Sequence, residues 1–87
     1  MITFENVSKI YSATSAALQN VTLDIKPREF VSLVGPSGAG KSTLLKLLIA
    51  EERPTEGRVF FDGTEITALP ARALPRLRRR IGMVFQD

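Results

Sequence analysis

The stretch Gly35-Pro36-Ser37-Gly38-Ala39-Gly40-Lys41-Ser42 decides how the rest of this chain is interpreted, because it fits the pattern G-x-x-x-x-G-K-[ST]. The apolar run at residues 30–34 precedes it and predicts a strand that is covered on both faces. Residues 41–50 follow with helix-forming composition and apolar side chains nearly all round, which predicts a buried helix. A loop placed between a strand and a helix is the local arrangement that this pattern requires.

The chemistry of this loop suits a nucleoside triphosphate. Gly38 and Gly40 allow backbone conformations that other residues avoid, and they bring backbone N–H groups close to phosphate oxygens. Those N–H groups lie at a helix N-terminus, where they have no helical partners and the helix dipole adds positive potential. Lys41 offers an ammonium to the β- and γ-phosphates, and the Ser42 hydroxyl is placed to bind Mg²⁺. Thr43 offers a second hydroxyl towards the α-phosphate. The sequence therefore predicts a P-loop that binds ATP with Mg²⁺.

The composition excludes several other classes of function. The chain has 87 residues, of which 44% are hydrophobic and 24% charged, and this is typical of one small globular domain or part of a larger one. Neither cysteine nor histidine is present, so disulfide scaffolds, Cys/His zinc sites, cysteine nucleophiles and histidine bases are excluded. No apolar run approaches the roughly 18 residues that a membrane span needs, and the N-terminus does not resemble a signal peptide.

The segments on either side of the P-loop predict antiparallel strands at residues 1–25 and 57–62. Strict alternation of apolar and polar residues up to Ile25 indicates a half-buried strand. The small polar residues at 12–16 predict a hairpin loop, and Asp62-Gly63 is a strong hairpin-turn signal. These strands are expected to form a subdomain beside the P-loop core.

The C-terminal third gives a mixed pattern. Thr55-Glu56-Gly57 predicts a turn, and Pro70 and Pro75 are expected to limit any helix in residues 66–80 to short pieces. The apolar run at 81–85 predicts a further strand of the core sheet. Apolar strands of a parallel sheet need helices on both faces, and only one substantial helix is predicted, so we expect the chain to be part of a larger domain.

The chain resembles the ATP-binding subunits of ABC transporters along its whole length. Residues 2–11 are similar to the opening strand of that family, which implies that Tyr11 stacks on adenine, although a tyrosine at a strand end can also simply pack on the core rim. Residues 17–25 are similar to the second strand, and residues 53–57 match the turn after the P-loop helix. The resemblance implies an α/β P-loop fold of the ABC nucleotide-binding type, consisting of its N-terminal portion: an antiparallel β subdomain and part of the parallel core sheet.

The resemblance also includes the C-terminal residues of the chain, and it indicates which functional elements of the family lie downstream of them. Residues 81–87 match the strand that leads into the Q-loop, which implies that Gln86 reaches Mg²⁺ and the attacking water; by itself, a glutamine after a strand is more often a surface residue. The family's catalytic glutamate and signature motif lie downstream, so we expect little or no hydrolysis by this chain alone.

For the full-length protein, the resemblance implies a homodimer bound to an integral membrane permease subunit at the cytoplasmic face of the cell membrane. Residues 74–82 and 85–87 are similar to the cell-division subgroup, but amino-acid importers and lipoprotein exporters share similar stretches.

Two positions depart from the family pattern. Arg28 stands where the family usually has glycine, and Ala50 stands where a glycine would make a better left-handed helix cap.

A basic C-terminal segment supports an alternative from another class. Residues 71–87 contain five arginines and one aspartate, which is also consistent with a small RNA- or lipid-binding module that uses Arg76–Arg80. A solvated surface is the simpler interpretation. No aromatic residues interleave with these arginines, so base stacking and nucleic-acid binding are not expected. A different P-loop enzyme, such as a kinase, would need an acceptor site, and none is readable in the sequence.

Overall fold

The computed structural model describes residues 1–13, 15–26, 28–29 and 39–85. The predicted strand at 30–34 lies outside the described residues. Along the chain, the elements are β1 (Ile2–Ser12), β2 (Ser15–Ile25), α1 (Ala39–Leu48), β3 (Glu56–Phe61), β4 (Thr64–Glu65), two short 3-10 helices (Ile66–Ala68 and Ala71–Ala73) and α2 (Leu74–Phe85). In this part of the chain no helix is long and apolar enough to cross a bilayer.

The four strands form one antiparallel sheet in the order β2-β1-β3-β4, which confirms the predicted antiparallel strands. Phe4 pairs with Leu23 on one side of β1 and with Val59 on the other. The hairpin between β1 and β2 is tighter than the predicted loop, because Ser12 already pairs with Ser15. The central position of β1 means that its residues are fixed by neighbours on both edges.

The hydrophobic core forms where α1 packs against this sheet. At the start of β1, the buried residues Ile2 and Phe4 alternate with the partly exposed Thr3 and Glu5, so one face of this part of the strand is buried. The helix contributes Leu44, Leu47 and Leu48, each at most 6% exposed, as expected from its apolar composition. The buried apolar residues of the core are Ile2, Phe4, Val7, Leu18, Leu44, Leu47, Leu48, Val59, Phe61, Ile66, Leu77 and Ile81.

Helix α1 ends in a left-handed cap at Ala50. The Ala50 N–H donates to the Leu47 carbonyl and the Glu51 N–H donates to the Lys46 carbonyl, which is the paired hydrogen bonding of a Schellman motif. Ala50 has φ +60°, a conformation that glycine adopts with less strain. Ala50 therefore adopts the left-handed conformation at the position where a glycine was expected to make the better helix cap.

The turns around β3 confirm one prediction and correct another. Asp62 and Gly63 have φ +53° and +86° between β3 and β4, as a two-residue hairpin turn requires. The predicted turn at Thr55-Glu56-Gly57 is wrong in part, because Glu56 and Gly57 already belong to β3. Gly57 has φ +91°, and a Cβ built there would lie 2.3 Å from the Asn6 carbonyl oxygen. A close approach of two strands, and not a chain reversal, explains this glycine.

The prediction of a strand at 81–85 is wrong, because these residues complete α2. Leu74, Leu77 and Ile81 follow helical spacing, and Leu77 and Ile81 are buried in the core. Pro75 lies in the first turn of the helix, where its missing N–H is not needed, so it does not limit the helix as expected. Within the apolar run, Ile81 is buried, whereas Met83 and Val84 are 71% and 47% exposed.

Candidate nucleotide site

The glycine-rich pattern meets the start of α1. The helix begins at Ala39, so Gly40, Lys41 and Ser42 lie in its first turn. The first backbone N–H groups of a helix have no partners within it and carry the positive end of its dipole, which suits an anion. Residues 35–38 lie outside the described residues. The described end of the motif is therefore the N-terminus of a helix, and phosphate binding there stays a prediction.

Thr43 follows directly in α1 and is only 4% exposed. Its neighbour Leu44 is also buried, so the helix packs into the protein directly after its first turn. The proposed contact of the Thr43 hydroxyl with the α-phosphate stays a prediction, as do the roles of Lys41 and Ser42. Gln86 lies outside the described residues, and its predicted role at Mg²⁺ also stays a prediction.

Tyr11, the predicted adenine-stacking residue, lies near the end of β1 and is half exposed. Its hydroxyl donates a hydrogen bond of 2.6 Å to Oε1 of Glu52, which follows the cap of α1. The ammonium of Lys9 lies 5.3 Å from the centroid of the Tyr11 ring, within the range of a cation–π interaction. The ring is therefore held by contacts with residues from two parts of the chain.

Lys9 also contacts the segment that follows α1 directly, in addition to its contact with the Tyr11 ring. Its Nζ donates a hydrogen bond of 2.7 Å to the Arg53 carbonyl and lies 4.0 Å from the Glu52 carboxylate. The side chains of Lys9 and Glu52 are only 18% and 28% exposed. We call Lys9, Tyr11, Glu52 and Arg53 the Tyr11 cluster. Sequence reasoning missed all of it except Tyr11, although the spacing of Lys9 and Tyr11 places both on one face of a strand.

Two arginines of the basic segment have partners within the chain. The Arg78 guanidinium donates to the carbonyls of Ile49 and Ala50, at 2.9 and 3.3 Å, and so satisfies free acceptors at the C-terminal end of α1. Arg80 lies 3.6 Å from the Asp62 carboxylate. These contacts give part of the basic segment a structural role, and this weakens the hypothesis of an RNA- or lipid-binding module.

Two other features of the described residues bear on ligand binding. A surface hollow of about 390 Å³ contains none of the residues predicted to bind the nucleotide. Its lining residues are Met1, Phe61, Asp62, Arg80, Met83 and Val84. Among the side chains that the structure describes, no group of three or more acidic residues is arranged to hold a metal ion.

Comparison with known protein families matches most of the chain. The family model described as "ABC transporter" covers residues 18–87. The cell division ATP-binding protein FtsE of Escherichia coli (strain K12) is 55% identical over 87 residues, which is all of this chain and 39% of FtsE. The methionine import ATP-binding protein MetN 2 of Bacillus cereus (strain ZK / E33L) is 48% identical over 90 residues, again across all of this chain and 26% of MetN 2.

Solved structures show the same relationship. The dimeric structure of MJ0796, a bacterial ABC transporter cassette, superimposes with a TM-score of 0.69 at 36% identity, over 91% of this chain and 35% of that one. A bacterial Atm1-family ABC exporter with ATP bound gives a TM-score of 0.65 at 31% identity, over 88% of this chain and 13% of the exporter. These neighbours confirm the predicted fold class, the N-terminal portion of an ABC-type P-loop nucleotide-binding domain.

The chain spans about two fifths of the length of FtsE and about a quarter of MetN 2. The family match covers well over half of the chain, and the identity to both relatives runs from end to end. The chain therefore belongs to the ABC transporter family and carries part of its ATP-binding domain.

Proposed function

We propose that the chain binds MgATP through residues 35–43 and is the nucleotide-binding part of an ATPase of the FtsE type. The observation that carries this proposal is that the last four residues of the G-x-x-x-x-G-K-S pattern, 39–42, form the first turn of α1. The 55% identity to FtsE over the whole chain supports the assignment to the cell-division subgroup.

Each residue of the site has a distinct task in this proposal. The backbone N–H groups around Gly38 and Gly40 bind phosphate oxygens, and the Lys41 ammonium neutralises charge on the β- and γ-phosphates. The Ser42 hydroxyl and the Gln86 amide oxygen would hold Mg²⁺, which would supply positive charge to the phosphates. Thr43, which is buried directly after the first turn of α1, offers a second hydroxyl towards the α-phosphate. The chain's contribution is to bind and orient the triphosphate.

In the full-length protein, we propose that ATP hydrolysis by a homodimer drives conformational work in a membrane complex. The partner would be an FtsX-like permease, and the protein would lie peripherally at the cytoplasmic face of the cell membrane. The 48% identity to MetN 2 favours a second candidate, the ATP-binding subunit of an importer. The two are distinguished by whether the purified full-length protein associates with an FtsX-like permease or with an importer permease.

Protection against thermal unfolding tests nucleotide binding. A ligand that binds only the folded state at 100 times its Kd stabilises it by about 2.7 kcal/mol. We expect MgATP to raise the Tm of the protein and of a Lys46→Ala control, because Lys46 lies in the last turn of α1, away from the motif. Lys41→Ala should lose this protection. Equal protection of both variants at saturating MgATP would overturn the assignment of the P-loop.

The RNA- or lipid-binding hypothesis needs its own variants. Arg78 and Arg80 have partners within the chain, so their removal would disturb the fold as well as any polyanion site. Arg76 and Arg79 are exposed and are the appropriate pair to replace with alanine. Salt-sensitive binding to RNA or to anionic vesicles that disappears in this double variant would support the alternative. We expect no such binding.

A further inference from the structure

The Tyr11 ring is constrained before any ligand arrives. Its hydroxyl donates to the Glu52 carboxylate at 2.6 Å, and the Lys9 ammonium lies 5.3 Å from the ring centroid. A tyrosine side chain has only two main torsions, so one contact at the hydroxyl and one at the face together restrict both the direction of the ring and its tilt. Half of the residue nevertheless remains exposed.

The groups that constrain the ring are themselves fixed. The Lys9 ammonium donates to the Arg53 carbonyl at 2.7 Å and lies 4.0 Å from the Glu52 carboxylate, and both side chains are largely buried. Lys9 belongs to β1, whereas Glu52 and Arg53 follow α1. A nearby backbone hydrogen bond, from the Thr55 N–H to the Ser8 carbonyl, joins the same two segments. The cluster therefore locks the end of β1 to the chain that leaves α1.

We propose that Lys9 and Glu52 are positioning residues that hold the Tyr11 ring as a ready-made stacking surface for the base of a purine nucleotide. This inference rests on the proposed binding of MgATP and on the prediction, implied by the family resemblance, that Tyr11 stacks on the base. Because the ammonium lies over one face and half of the residue is exposed, we assign the base to the opposite face of the ring. A ring that is ordered beforehand loses little conformational freedom when the ligand binds, so base binding is strengthened.

The cluster also sets the distance between the base and the phosphates. The ten residues of α1 are about 15 Å long, which is comparable with an extended nucleoside triphosphate. The phosphate-binding motif lies at the start of this helix, and Glu52 follows its end. A ring tied to Glu52 is therefore tied to the segment that directly follows the helix containing Lys41, and this connection would restrict the separation of the two subsites.

The test compares two ligands on the same variants. MgATP carries the base, whereas magnesium tripolyphosphate carries only the phosphates. Tyr11→Phe keeps the ring and loses the hydroxyl tether, Glu52→Ala removes the acceptor, and Lys9→Met removes the charge. Each should bind MgATP about three- to tenfold more weakly, in the range expected for the loss of one polar contact, and should bind tripolyphosphate unchanged. Unchanged tripolyphosphate binding also shows that the variant is folded.

Two further variants serve as controls. Glu51→Ala replaces the exposed neighbour of Glu52, to which the structure gives no side-chain hydrogen bond or ion pair among the described residues, and it should bind both ligands as the parent does. Lys9→Arg keeps a cation over the ring and should retain most of the affinity for MgATP that Lys9→Met loses.

Fluorescence gives a readout that a purely structural role would not change. Tyr11 is the only tyrosine, and the sequence contains no tryptophan, so tyrosine emission reports this ring alone. We expect MgATP to quench it in the parent and in Glu51→Ala, and tripolyphosphate to leave it unchanged. In Glu52→Ala and Lys9→Met, the quenching should require correspondingly higher concentrations of MgATP.

The outcomes separate this inference from the proposed function. If Tyr11→Ala loses the preference for MgATP over tripolyphosphate while Tyr11→Phe, Glu52→Ala and Lys9→Met keep it, the ring stacks without their help and the positioning role is refuted. If Tyr11→Ala keeps the preference, stacking on Tyr11 itself is wrong and the inference falls with it. If the parent binds neither ligand, the proposed nucleotide site is wrong, and both proposals are overturned.

Discussion

Gly57→Ala should destabilise the protein far more than Gly63→Ala, although both glycines are exposed and have nearly the same positive φ, +91° and +86°. An alanine at either position adopts the left-handed region at a cost of about 1–2 kcal/mol and restricts the unfolded chain to a similar extent. These two contributions cancel when the variants are compared with each other. The difference between them therefore isolates the space available to the new methyl group.

That space differs sharply. A Cβ at Gly57 would lie 2.3 Å from the Asn6 carbonyl oxygen and 2.6 Å from the Val7 Cα, and these are backbone atoms of β1 that cannot rotate away. A Cβ at Gly63 meets nothing within 4 Å. Relief at Gly57 requires the two strands to separate or shift their register, and forced repacking of this kind costs about 1–3 kcal/mol.

Urea denaturation followed by far-UV circular dichroism measures this difference. We expect the free energy of unfolding of Gly57→Ala to fall about 1–3 kcal/mol below that of Gly63→Ala, with an unchanged m-value. In a domain of this size the corresponding Tm difference is at least about 4 °C. Equal unfolding midpoints for the two variants would refute the close approach of β3 to β1, and with it the register that places the Tyr11 cluster.

Three further predictions concern α1 and the surface. Arg78→Ala should lower the free energy of unfolding by about 1–2 kcal/mol, because it leaves two carbonyls at the end of α1 without their charged donor. The control Arg79→Ala should change the free energy of unfolding by less than about 0.5 kcal/mol. Chemical denaturation of both variants measures this difference. Ala50→Gly should keep or slightly raise the Tm, since relief of about 1–2 kcal/mol of left-handed strain is partly offset by the greater freedom of glycine in the unfolded chain. A clear fall in Tm would contradict the left-handed cap at φ +60°. Arg58→Ala should change the unfolding free energy by about 1 kcal/mol or less, because its ion pair with Glu5 is exposed, and a larger loss in the same denaturation assay would show that the pair is buried in solution.

The elements predicted correctly are those whose geometry is determined by residues close together in the sequence. The alternation up to Ile25 and the Asp62-Gly63 turn have physical causes within a few residues, and both appear in the structure. The beginning of α1 at the glycine-rich motif is of the same kind. For these elements, the sequence contains all the information that their geometry requires.

Long-range contacts explain what the sequence did not predict. Gly57 resembles a turn residue, and only the approach of β1, about 50 residues earlier, shows that it belongs to a strand. The apolar run at 81–85 is too short for its period to distinguish a buried strand from a helix, and burial of Leu77 and Ile81 at helical spacing decides the outcome. In the candidate site, the partner of Tyr11 is 41 residues away, so no local motif contains it.

Direct titration of the purified protein with MgATP by isothermal calorimetry tests the central claim, that residues 35–43 bind the phosphates of a nucleotide. We predict saturable binding with one nucleotide per chain, weakened at least tenfold in Lys41→Ala and unchanged in Lys46→Ala. Absence of binding, or equal binding by both variants, would contradict the claim.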